Sequence, residues 1–207
     1  MNKREVRAMK ELLTDLGKDA ARLIKRRPAP AEEVMRAFCD ALQIRTGRPI
    51  DLVLRAFPPD VPVSGLRLDL GERSMIVVEE DTAVEAQLVI LGHELYHDAN
   101  GDCHHVSAGL PTAARALTEE PDDDVIQRCA EAILASRDVP LEAVRAVAAR
   151  SESVAAHEES AESFGLLFGV EVRTWVEGLP QAQSPTTAAT VEGRLALSLG
   201  RRSGLLR

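Results

Sequence analysis

Leu91-Gly92-His93-Glu94-Leu95-Tyr96-His97 is an H-E-x-x-H pattern at the end of an apolar run with helical period. Four residues of helix turn the chain through about 400°, so His93 and His97 leave one face a turn apart. Such a pair can offer both imidazoles to one Zn²⁺ at roughly 2.0–2.1 Å. Glu94, beside the first histidine, stands where a carboxylate takes a proton from a water held by that ion. Upstream, Thr82 and Glu85 read as an S/T-x-x-E capping box that starts the helix near residue 83. Val84, Leu88, Leu91 and Leu95 then form a core-facing stripe beside the histidines. The plainer alternative is a buried amphipathic helix whose histidines only bond backbone carbonyls. It is the weaker reading, because two His and a Glu on a buried apolar helix are costly without a metal.

The 207 residues, 45% hydrophobic and 28% charged, suit one globular domain with appendages. Trp175, Tyr96 and four Phe are the only aromatic residues, so Leu, Val and Ala must build the core. A formal net charge of −8 disfavours attraction to phosphate backbones, so no direct nucleic-acid partner is expected. No apolar run reaches membrane-spanning length, and the basic beginning is not followed by a signal-peptide core. No membrane contact and a cytoplasmic location are therefore expected. Cys39, Cys103 and Cys129 are odd in number and widely spaced, which suits reduced thiols.

Outward from the central pattern, the expected class is α+β. A small antiparallel three-stranded sheet packs on the H-E-x-x-H helix, and the remainder is mostly helical. Residues 1–30 read as an N-terminal helical arm with a thin stripe of Leu12, Leu13, Leu16 and Leu23. Arg26-Arg27-Pro28-Ala29-Pro30 then breaks the chain. A second helix is expected over residues 31–45, with Val34, Phe38, Ala41 and Leu42 inward and Thr46-Gly47 at its end. Ile50 to Phe57 reads as a strand, and Leu66, Leu68 and Leu70 alternate with Arg67 and Asp69 as in a half-buried one. Gly71-Glu72-Arg73 turns the chain into Met75-Ile76-Val77-Val78 as a hairpin partner. The edge of that hairpin near residues 75–79 is a place where an extended substrate can add as a strand. Asp98 onward reads as a polar loop. A main domain over residues 31–178 thus carries a helical insertion at about 106–150, and residues 179–207 form a linker and tail.

Catalytic zinc needs a third protein ligand beside an open position. Glu158 is the first candidate, on a helix running from Ser151 to about Phe168. Glu162, one turn later on the same face, can accept the remaining N–H of a metal-bound histidine. The second candidate is His104 or His105, or Cys103, in the loop after His97. Gly101 and His104 resemble the metzincin pattern H-E-x-x-H-x-x-G-x-x-H, but each falls one place late. Glu159 is the third, pointing about 100° from Glu158, so only one of the two can serve. As a donor to the oxyanion, His104, His105, His157 and Tyr96 all stay open.

These stretches together resemble the ImmA/IrrE family of small intracellular zincins, which are associated with mobile elements, stress regulation and toxin–antitoxin gene pairs. The likeness rests on the hairpin ending Ile76-Val77-Val78, the helix ending Leu91-Gly92-His93-Glu94-Leu95-Tyr96-His97, and Glu158-Glu159-Ser160-Ala161-Glu162-Ser163-Phe164-Gly165-Leu166-Leu167. The last is similar to the family's E-x-x-A-[ND]-x-F-A-x-x-L-L helix. On that match Glu158 takes the metal-ligand position and Glu162 the one usually held by Asn or Asp. The resemblance spans about residues 31–178 and implies a minimal zincin-like fold. It also implies a Zn²⁺-dependent endopeptidase cleaving a partner regulator, such as a cognate transcriptional repressor or antitoxin. Two departures stand out. Sixty residues separate His97 from Glu158, more than is common in the family, and no helix-turn-helix unit is evident. The competing expectation is a non-proteolytic component, in which the same fold only docks a cognate regulator.

Overall fold

The computed structural model describes residues 3–57, 64–100, 108–109 and 154–179. Helix α1 spans Lys3–Leu23 and α2 spans Ala31–Thr46. Strands β1 (Ile50–Arg55), β2 (Gly65–Asp69) and β3 (Ser74–Glu79) lead into α3 (Val84–Ala99). A two-residue strand β4 (Ala108–Gly109) follows, and α4 (Val154–Val172) ends in a short 3₁₀ turn, Arg173–Trp175. The class is α+β, as the sequence indicates.

The sheet order is β1-β3-β2-β4. β2 and β3 pair antiparallel as the expected hairpin, but β1 joins β3 in parallel, with Leu52 opposite Ile76. The sheet is therefore mixed rather than antiparallel. The chain reverses twice between β1 and β3, so the two run the same way once β3 takes the central place. That placement removes the expected free edge at residues 75–79, because β3 is paired on both sides.

The alternation in β2 also has a different outcome. Leu66 and Leu68 are buried, as expected, but Arg67 is equally buried, at 0% exposure. Residue parity places Gly65 and Arg67 on the face toward α3, where Asp98 receives the guanidinium, so this strand has no solvated side.

α2 buries Val34, Phe38, Ala41 and Leu42 and stops where Gly47 turns left-handed at φ 72°, its N–H bonding to Gln43 O at 2.8 Å. Phe38 meets the ring of Phe168 at 4.8 Å edge-on and that of Trp175 at 5.2 Å, joining α2 to the far end of α4. Trp175 is half-buried rather than a deep core anchor, and Arg27 lies 4.1 Å over its ring. α1 packs on α2 through Met9, Leu13, Leu16 and Ala20. The expected stripe is thus rotated, since Leu23 is 42% exposed. The insertion at 106–150, with Cys103 and Cys129 and the tail beyond residue 179, lies outside the described residues apart from β4.

Candidate metal centre

α3 begins one residue later than the capping box requires. Its N-cap is Ala83, with no side-chain cap, so the Thr82–Glu85 box is not formed. Gln87 braces the entry instead, its amide donating to the carbonyls of Glu80 at 3.0 Å and Thr82 at 3.2 Å. From there Leu88, Leu91 and Leu95 are fully buried, as the helical period requires, and Val84 is half-buried. The helix continues through Asp98 and Ala99, past the point where a loop is expected.

Two close approaches set the depth of α3. A Cβ on Gly92 would lie 2.6 Å from Phe168 Cβ, so α4 crosses here with almost no space between helices. On the other side, a Cβ on Gly65 would collide with Ile90 Cγ2 and lie 3.2 Å from Glu94 Oε1. β2 therefore passes directly beneath the Glu94 carboxylate, which is itself fully buried.

His93 and His97 leave one face of α3 as the four-residue spacing demands, with Nε2 atoms 3.2 Å apart and exposures of 5% and 4%. The Glu158 carboxylate from α4 bridges them. One oxygen lies 3.2 Å from His97 Nε2 and the other 3.5 Å from His93 Nε2. Hydrogen bonds alone fit this triangle poorly, because each Nε2 faces two neighbours and carries at most one proton. One cation satisfies all three donors at once. Among the described residues, His93, His97 and Glu158 form the group that could hold a metal ion.

Glu159 is exposed and is not part of that group, as the 100° offset requires. Glu162 is half-buried, one turn beyond Glu158. The Tyr96 ring stacks against Phe164 at 5.3 Å, on the side where α4 packs. His104 and His105 lie outside the described residues, as does the side chain of His157. Cys39 is buried, and desolvation pushes its thiol well above the ordinary range, so it is an inert core residue.

One cluster escapes sequence reasoning. Asp98, directly after His97, accepts a hydrogen bond from Ser74 Oγ and lies 3.7 Å from Arg67 Nη1 and 3.9 Å from Arg48 Nη1. It fastens the last turn of the histidine helix to β2 and β3. The available signal was an acid next to a ligand histidine and an arginine inside an apolar strand.

The fold and site together define an α+β protein with a two-histidine, one-glutamate group able to hold a metal ion. No family model, curated protein or solved structure matches the chain. Among the described residues, no helix is long and apolar enough to cross a membrane.

Proposed function

We propose that this protein is a zinc-dependent endopeptidase. The observation that carries the proposal is the spacing of the donor triangle. Four ligands at roughly 2.0–2.1 Å around tetrahedral Zn²⁺ stand about 3.4 Å apart, and three corners of that figure are near at hand. The separations are 3.2 Å between the imidazoles, and 3.2 and 3.5 Å from them to the carboxylate. Two neutral nitrogens and one carboxylate are also the donor set of a hydrolytic zinc site with one position left for solvent.

Bound there, zinc would lower the pKa of a coordinated water towards 7 and polarise the scissile carbonyl. Glu94 has the remaining task. It lies one residue from His93, fully buried above β2. Its carboxylate accepts a proton from the attacking water and passes it to the leaving amine nitrogen. Ligand and base thus come from one rigid helix, whose last turn Asp98 holds to the sheet. The resemblance to the ImmA/IrrE family supports a regulatory protein as substrate, such as a transcriptional repressor or antitoxin.

The test uses the zinc-loaded chain with a quenched-fluorescent library of extended peptides. The wild type is expected to cleave. Glu94→Gln should bind zinc equally well and lose about 10²–10⁴-fold in rate. Cleavage undiminished in Glu94→Gln would reject the assigned base. A wild type that captures a regulator without cutting it would favour the docking reading.

A further inference from the structure

The sheet ends in β1 on one side and β4 on the other, and α3 lies against β2, β3 and β4. Because β3 is paired on both sides, β2 is the strand before α3 that turns an outer edge toward the metal centre. That edge begins at Gly65, where a Cβ would lie 3.2 Å from Glu94 Oε1. The place beside it is already taken. β4 pairs antiparallel with the first two residues of β2, Ala108 opposite Leu66 and Gly109 opposite Gly65. Residues opposed in this way share a face of the sheet, so Gly109 stands on the side of Gly65, toward α3. β4 thus occupies the angle between the edge strand and the helix that carries His93, Glu94 and His97.

We infer that β4 is a built-in competitor for the peptide, holding the backbone groups of β2 that an extended substrate needs in order to lie across the metal. The inference rests on the peptidase reading above and adds how that site is regulated. A peptide that joins a sheet edge is held by the same kind of main-chain hydrogen bonds that pair β4 with β2, so one excludes the other. With β4 in place Glu94 has no exposed surface, although water and the leaving nitrogen must both reach its carboxylate.

The hold is a light one. Of two adjacent antiparallel pairs, one exchanges both hydrogen bonds and the other none. Two backbone bonds are worth about 5–100-fold in an equilibrium. β4 lowers the fraction of chains open to peptide, so it raises the apparent KM by that factor and leaves kcat alone. It belongs to the stretch between His97 and Glu158, whose length sets this chain apart from the family it resembles.

The experiment measures KM and kcat for a quenched-fluorescent extended peptide, and zinc affinity by chelator competition, on the full zinc-loaded chain. One variant, Ala108→Pro with Gly109→Pro, removes both N–H donors of β4. A second, Leu66→Cys with Ala108→Cys, joins directly opposed positions by a disulfide that locks β4 in place. It is made in a background of Cys103→Ser and Cys129→Ser. The proline variant should lower KM about 5–100-fold, with kcat and zinc affinity unchanged. The crosslinked variant should stop cleaving, and cleave again when a phosphine reduces the bond, with zinc bound throughout. An unchanged or raised KM in the proline variant would overturn the inference, because β4 would then only cover a sheet edge. So would a crosslinked chain that cleaves as fast as its reduced form. If Leu66→Cys prevents folding, the proline variant alone decides. Zinc-loaded chains that never cleave, the proline variant included, would instead remove the peptidase reading itself.

Discussion

Glu94 and Glu158 are both glutamates on helices, yet the chain assigns them different surroundings. Glu158 keeps 17% of its side chain exposed and faces two imidazoles. Glu94 is fully buried, and the space for its carboxylate exists because position 65 has no side chain. That space gives a prediction. Gly65→Ala would press a methyl into Ile90 and toward Glu94 Oε1, and overpacking of this kind costs about 1–3 kcal/mol. Thermal unfolding should show the loss, and cleavage should fall further than zinc affinity because the base is displaced while the ligands stay. Equal loss of both would mean that the whole helix has moved. At this scale the sequence was largely readable. The four-residue spacing of His93 and His97 dictates a shared face, and the offset of Glu159 from Glu158 leaves one of them outside. The role of Gly65 was not readable, since a strand glycine says nothing about which helix crosses it.

Element by element, periodicity served helices better than strands. α2 and the second half of α3 bury the residues their period selects, because a helix closes its own hydrogen bonds and only one stripe has to find a core. A strand takes its partner from elsewhere in the chain. So the central position of β3, and the parallel pairing with β1, were invisible until the sheet was formed. Arg67 shows the consequence, since a charged residue at an alternating position ordinarily marks the solvated side. Here the second face is covered, and the charge is tolerated because Asp98 lies 3.7 Å away, with both side chains almost wholly buried. Removing one partner of such a pair costs about 3–5 kcal/mol, as the other is left without its counter-charge. Arg67→Met should lower the unfolding free energy by about that amount in denaturant titration. A change under about 1 kcal/mol would show that Ser74 and Arg48 suffice to hold Asp98.

The whole molecule brings together residues 65, 93, 97 and 158, supplied by a strand and two helices far apart in sequence. The N-terminal helix α1 packs on α2, the same helix whose Phe38 meets the far end of α4. A ligand that binds only the folded chain stabilises it by mass action, about 2.7 kcal/mol at a hundredfold excess over Kd. For a chain of this size each kcal/mol moves the midpoint by about 2–4 °C. Zinc should therefore raise the thermal midpoint by about 5–11 °C, reversibly with chelator, and should leave His97→Ala unmoved. A wild-type midpoint indifferent to zinc would speak against a site that joins α3 to α4.

The most direct test of that site is calorimetric titration of zinc into wild type, His97→Ala and Glu158→Ala. The account predicts one ion per wild-type chain and severe loss of affinity in both variants, each of which removes a corner of the triangle. A Glu158→Ala protein that binds zinc as tightly as wild type would contradict it.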